Sequence, residues 1–293
     1  MAQVVVTGAS GYIALHVCEQ AAKAGHRVRG TVRSKSNAAK CDPLLAAVPG
    51  IELVEADLLS DEGWAAALKD CKYVFHVASP FPIQAPNHED DLLRPAIDGT
   101  LRVLRAAAAE QSVKRVILTS SVAATSAGHD KTDTLEATEH ARDDKVWTED
   151  DWSRAEGCEA YAKSKTLAEQ AAWKFIKEEQ PAGRNLELVV INPAFVVGPA
   201  LTKGAHRTLY SGVIYLCVHV LYIFTCTQAL TAEICCVRGP AFTTAPGSST
   251  GIVSRILTGD LPMLPEIYMS CVDVRDVARA ARMLQKNKMS LRQ

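Results

Sequence analysis

The stretch VTGASGYIA, Val6–Ala14, narrows most sharply what this chain can become. A β-branched run, Gln3–Thr7, leads into it, and a helical pattern from Tyr12 to Ala24 follows, closed by Gly25. Glycine turns are common, but this one joins a strand to a helix at the start of the chain. There Gly8 permits a tight turn and Gly11 lets the backbone approach a pyrophosphate. Ala14 lets the helix pack closely on the strand. The helix N-terminus then offers free N–H groups and partial positive charge to phosphates. The pattern therefore predicts a dinucleotide site at the edge of a parallel sheet.

The rest of the chain repeats the alternation. Strand-like runs fall at 26–33, 51–58, 72–79, 114–121 and 186–193, with helical patterns at Asp90–Gln111 and Tyr161–Gln180. Nearly continuous apolar strands separated by helices imply a parallel sheet covered on both faces. Right-handed crossovers make this an α/β, Rossmann-type doubly wound fold. We expect a dinucleotide-binding domain over 1–195 and a smaller, incomplete substrate-binding part over 196–293, with 273–281 packing back on the first domain.

Composition excludes several classes. The 293 residues carry a net charge of −1 with mixed signs, which argues against nucleic acid or an acidic lipid surface as partner. No signal-peptide pattern opens the chain, so a cytoplasmic protein is expected. Its 9 cysteines are scattered without zinc-ligand spacing, so no metal is expected and reduced thiols are.

Two sites carry chemistry. The second strand ends in Arg33, with Lys40 following, where an acid would hold the ribose 2′-hydroxyl of NAD. Cations there suit a 2′-phosphate, so NADP(H) is the expected cofactor. Farther on, YAKSK places Tyr161 and Lys165 one turn apart on a helix. A nearby ammonium should lower the phenol's pKa toward useful acid–base chemistry. The fifth strand ends in LTSSVAAT, so Ser120 or Ser121 could donate a hydrogen bond to a substrate carbonyl at the carboxyl edge of the sheet.

The chain resembles an extended short-chain dehydrogenase/reductase of the dihydroflavonol 4-reductase, cinnamoyl-CoA reductase and related NADPH-dependent aldehyde/ketone reductase group. The resemblance rests on VTGASGYIA, GTVRS, EADL, VFHVASP, PAIDGTLRVL, RVILTSSVAA, YAKSKTLAE, INPAFVVGPAL and SCVDVRDVARA, in the family's order. It implies Ser121, Tyr161 and Lys165 as the catalytic triad. It implies Thr7, Gly8, Ser10, Gly11, Tyr12 and Ile13 as cofactor contacts, and Arg33 and Lys40 at the 2′-phosphate. Asp57 and Leu58 would border the adenine. Val77, Ala78 and Ser79 would line the ribose and phosphates, Thr119 the nicotinamide ribose, and Pro193 and Val196 the nicotinamide. The implied reaction is hydride transfer from NADPH to a small-molecule carbonyl, with Tyr161 donating the proton, Ser121 polarising the oxygen and Lys165 binding the ribose. An epimerase/dehydratase or 3β-hydroxysteroid dehydrogenase shares this frame, but VFHVASP and GTVRS favour the reductases.

Two departures stand out. Residues 209–246, including SGVIYLCVHVLYIFTC, match no segment expected of the family, and the chain closes in a basic polar tail after SCVDVRDVARA. Retained non-coding sequence or a genuine insertion would each produce this, and a catalytically impaired NADP-binding isoform is the corresponding alternative. The apolar run Val213–Thr227 is interrupted by His219 and falls short of the ~20 residues of a spanning helix, so a membrane partner is not expected. Monomer and homodimer both remain open.

Overall fold

The computed structural model describes residues 1–79, 88–129, 147–199, 201 and 271–285. The expected insertion at 209–246 and the last residues of the tail lie outside them. Six parallel strands form the central sheet. They are β1 (Gln3–Val6), β2 (Arg27–Val32), β3 (Glu52–Glu55), β4 (Tyr73–His76), β5 (Arg115–Thr119) and β6 (Glu187–Ile191). Their order, β3-β2-β1-β4-β5-β6, is that of the doubly wound dinucleotide folds. The order reverses between β1 and β4, which opens a crevice at their carboxyl ends.

Alternation along each strand explains why helices cover both faces. Val4 and Val6 of β1 pack with Leu15, Cys18 and Ala21 of α1 (Tyr12–Lys23) and Leu44 of α2 (Ala38–Ala47). Val5, between them, faces Leu68 of α3 (Trp64–Leu68), Leu104 of α4 (Asp90–Ala109) and Ala172 of α5 (Ala160–Lys174). Each such fully buried aliphatic chain contributes ~1.5–3 kcal/mol relative to exposure. The helical pattern expected as far as Gln180 leaves α-helical geometry earlier: α5 ends at Lys174 and Phe175–Glu179 forms a π-helical turn. That wider turn leaves Phe175 buried against the α4 side of the sheet.

A second sheet pairs β7 (Phe195–Val197) with β8 (Cys271–Asp273) in parallel. From β8 the chain enters α6 (Val274–Leu284), whose N-terminus is capped by the Asp273 side chain. The apolar face of α6 packs on α1: Ala278 and Ala281 join the cluster around Leu15 and Cys18. Arg115 of β5 donates to the Leu284 carbonyl, tying the end of α6 to the sheet edge near β6.

Candidate functional site

The crevice between β1 and β4 is built around the glycine turn. Gly8 adopts a left-handed φ of +63°, and a Cβ there would meet Ala78 Cβ at 3.0 Å. Its N–H donates to Thr31 Oγ1 at 3.0 Å and the next N–H, of Ala9, to Thr31 O at 2.9 Å. The turn is thus pinned on β2, and Gly30 makes the approach possible: a Cβ there would lie 2.6 Å from Ala9 Cβ. Gly11 is the N-cap of α1, and no side chain caps the first turn of that helix by a hydrogen bond among the described residues. Ala14 is buried where α1 meets β1. Ser10 is half-buried and Gly11 exposed beside it.

Thr7 and Tyr12, both expected at the cofactor, have their hydroxyls committed within the fold. Thr7 Oγ1 accepts from Val77 N at 3.1 Å and Ala78 N at 3.0 Å, which leaves its proton for His76 Nδ1 at 2.9 Å. It therefore locks the end of β4 against β1 and holds Val77–Ser79 along the crevice. Tyr12 donates to Gly198 O at 2.7 Å, and the neighbouring His16 ring lies 2.8 Å from Pro199 O. Ile13 packs between the α1 face of the sheet and the small cluster of Val196, Val274 and Val277. Val196 is itself buried in that cluster.

At the far edge of β2 and β3 the surroundings change. The side chains of Arg33 and Lys40 are exposed and make no hydrogen bond or ion pair among the described residues. Asp57 accepts from Leu59 N through Oδ1 at 2.9 Å and from the Trp64 indole through its carbonyl at 3.0 Å. Leu58 packs on α4, where a Cβ at Gly99 would approach it to 2.9 Å.

The other end of the crevice gathers the residues expected to carry acid–base chemistry. Tyr161 and Lys165 stand one turn apart on α5, with Lys165 Nζ 5.9 Å from the Tyr161 ring centre. Tyr161 shares a side-chain hydrogen bond with Ser121, just past β5. Of the two serines at that strand end, only Ser121 faces the phenol in this way. The Ser120 hydroxyl is buried without a partner among the described residues. Thr119 is buried on β5 beneath them. Pro193 O accepts from Val122 N at 3.1 Å, tying the start of the β6–β7 connection to the Ser121 segment.

The electrostatics correct one expectation. Burial pushes the Tyr161 phenol up from its ordinary value, with the Ser121 hydrogen bond acting in the opposite direction. The same desolvation lowers the Lys165 ammonium to about 8, opposed by the Glu169 carboxylate. Withdrawal from water, rather than the neighbouring cation, is the larger influence on the phenol here, and it favours the neutral form of Tyr161.

The pattern reading missed Glu169 and Asn192. Glu169 is 1% exposed on the next turn after Lys165. Asn192 donates to Glu169 Oε2 at 2.8 Å and to Ser121 O at 3.1 Å. Both lie inside quoted segments, YAKSKTLAE and INPAFVVGPAL. The signal available was the further one-turn spacing from Lys165 to a carboxylate on an otherwise Ala-rich helix face. Among the described residues no group of His, Cys, Asp or Glu could hold a metal ion, and no helix is long and apolar enough to cross a membrane.

Comparisons with known proteins agree with this architecture. The sequence profile of the NAD dependent epimerase/dehydratase family matches residues 4–220. A cinnamoyl-CoA reductase of Medicago truncatula is 40% identical over 202 residues, covering 68% of this chain and 59% of its own. Tetraketide alpha-pyrone reductase 1 of Arabidopsis thaliana is 40% identical over 210 residues, with the same 68% and 59% covered. The chain thus spans 59% of the length of these relatives. The crystal structure of yeast methylglyoxal/isovaleraldehyde reductase Gre2 with NADPH aligns at a TM-score of 0.67 and 27% identity, over 98% of this chain and 75% of that one. With a family profile matched over most of its length and a parallel sheet in the corresponding order, this chain belongs to the NAD dependent epimerase/dehydratase family.

Proposed function

We propose that the chain is an NADPH-dependent reductase that converts a small-molecule aldehyde or ketone to the alcohol. The observation that carries this reading is the pairing of Tyr161 with Ser121 at the carboxyl edge of the sheet, one helical turn from Lys165. The relatives named as cinnamoyl-CoA and tetraketide alpha-pyrone reductases, and the NADPH complex of the yeast reductase, support it.

The residues present fit the cofactor. The left-handed Gly8 and the α1 terminus without a side-chain cap suit a pyrophosphate. Arg33 and Lys40, exposed and without a described partner, suit a 2′-phosphate, whereas an acid at this position would repel it. When bound, NADPH supplies the hydride that reduces the carbonyl carbon. Tyr161, kept protonated by burial, gives its proton to the carbonyl oxygen as the C–O π bond breaks. Ser121 orients that oxygen and, through its hydrogen bond, partly stabilises the phenolate that Tyr161 becomes. Lys165 places an ammonium beside the same phenolate, and a proton from solvent restores the phenol. One carbonyl, one hydride and one proton give one alcohol.

The reading carries a cytoplasmic location, supported by free thiols at Cys18, Cys41, Cys71 and Cys158, which suit a reducing compartment. The test is NADPH oxidation, followed at the nicotinamide absorbance, with a panel of aldehydes and ketones, alongside calorimetric titration with NADPH. Turnover with any carbonyl sustains the proposal. Binding without turnover would replace it with a catalytically impaired NADP-binding protein, and absence of both would overturn the cofactor assignment too.

A further inference from the structure

We propose that Tyr12 and His16 are positioning residues that lock the cofactor end of α1 to the segment after β7, so that a pyrophosphate bound at the glycine turn steadies residues 195–198. The inference rests on the proposed cofactor site at residues 8–11 and on nothing further in the reductase reading.

Tyr12 opens α1 directly after Gly11, and His16 follows one turn later, so both rings leave the same side of the helix. They meet edge to face, with 5.8 Å between ring centres and an interplanar angle of 88°. Tyr12 Oη donates to Gly198 O at 2.7 Å, and His16 Nε2 lies 2.8 Å from Pro199 O. One helix side therefore holds two consecutive carbonyls. A carbonyl only accepts, so His16 carries its proton on Nε2 and Nδ1 is left as an acceptor. That Nδ1 is buried without a partner among the described residues, and His16 as a whole is 1% exposed. A buried orphan acceptor is costly. An apolar side chain at position 16 would avoid the cost but could not hold Pro199, so the bond to Pro199 is what the imidazole gains there.

The receiving side is built to match. Gly198 has a φ of +139°, and a Cβ there would stand 2.8 Å from Val274 Cγ1 and 3.3 Å from both Asp273 Oδ1 and Tyr12 Oη. Glycine lets α1, the end of β7 and the start of α6 meet at that point. Tyr12 and Ile13 also pack on the cluster of Val196, Val274 and Val277. The first turn of α1, where free N–H groups face the crevice, is thus joined to β7 and its successor residues by two hydrogen bonds and one apolar patch. A ligand that restricts this turn also restricts the carbonyls that its rings hold. Because β7 carries Val196, expected beside the nicotinamide, the link would align the two halves of the cofactor site.

The test uses 2′-phospho-ADP-ribose, which has the pyrophosphate but lacks the nicotinamide that would touch β7 itself. Its binding is measured by calorimetry, and its effect by amide hydrogen exchange with peptide mass spectrometry on the whole chain. In the wild type it should slow exchange both at residues 8–14 and at 195–198. In Tyr12→Phe, and in His16→Asn, whose side chain is too short to reach Pro199, exchange at 195–198 in the free chain should rise about fivefold. The ligand should still protect residues 8–14 in these variants, but its protection of 195–198 should be lost. His16→Gln, whose amide nitrogen falls where Nε2 stood, should restore that protection. If His16→Asn does not fold, Tyr12→Phe carries the test, since it removes one oxygen and keeps the ring. Faster exchange at 195–198 with the ligand's protection intact would mean a merely structural role and would overturn the proposal. So would a wild type in which the ligand protects residues 8–14 alone. A ligand that does not bind the wild type would overturn the cofactor site, and the proposal with it.

Discussion

The two ends of the crevice are built on opposite principles. At the Tyr161 end, Tyr161 and Ser121 hydrogen bond, Asn192 ties Ser121 to Glu169, and Lys165 lies over the tyrosine ring. Every group is at least half-buried and held by others before anything binds. At the β2 end, Arg33 and Lys40 are exposed and unattached among the described residues. Chemistry gains from preorganised groups, because a misplaced donor loses most of its effect on the transition state. Recognition of a phosphate can be left to long cationic side chains that close on it, at some entropic cost. Under the proposed function, substitutions at one end should act on the rate of the chemical step and at the other on which cofactor is held.

The largest effect should separate the ends most cleanly. Tyr161→Phe removes the proposed proton donor and little volume, so kcat should fall by ~10²–10⁴-fold. The NADPH dissociation constant, read by calorimetry, should stay within a few-fold. Retained wild-type turnover would remove Tyr161 from the mechanism. Conversely, Arg33→Ala combined with Lys40→Ala removes two charge-assisted contacts worth ~1.5–3 kcal/mol each. The KM for NADPH should rise by about 100-fold or more, with the KM for NADH and the kcat little changed. A parallel loss with both nucleotides would mean that these cations do not read the 2′-phosphate and that the proposed contrast between the ends is wrong.

The same contrast explains what could be read in the residues. The glycine turn was legible because its signal is local, a spacing visible in nine letters, and the 2′-phosphate role proposed for Arg33 rests on an equally local signal, a strand followed by Arg33 where an acid is usual. The Tyr161–Lys165 pair was legible for the same reason, being one turn of one helix. Glu169 and Asn192 were not, because their partnership joins α5 to the end of β6 and only the sheet brings them together. The Tyr12 hydroxyl's bond to Gly198, distant in sequence across the β7 connection, was likewise not visible in the turn that carries Tyr12. Short elements were lost too. In α2 Pro43 interrupts the helical pattern, and α3, Trp64–Leu68, is too short for periodicity to show. The direction of the Tyr161 shift was misread because spacing reports a neighbouring charge and says nothing about how much water burial removes.

Acid should discriminate between the ends on a smaller scale, through His76. Thr7 Oγ1 receives two backbone N–H groups, so its own proton must point to His76 Nδ1, and the ring carries its single proton on Nε2. That tautomer is neutral, and desolvation together with the Lys165 charge pushes the imidazole pKa down to about 3. The folded state therefore resists a proton that the unfolded chain takes up near pH 6.5. Between those values the unfolded state binds more protons, so stability falls as pH drops. From pH 7 to pH 5 the loss attributable to His76 is about 2 kcal/mol. Urea titrations at the two pH values should show it in the wild type. His76→Gln, which can still accept from Thr7 but does not titrate, should lose correspondingly less over the same interval. Because Thr7 and His76 lock β4 against β1 beside Lys165, the acid-labile element belongs to the buried end of the crevice. If the Gln variant loses as much stability as the wild type, the pH dependence arises elsewhere, and the buried end is not where acid acts.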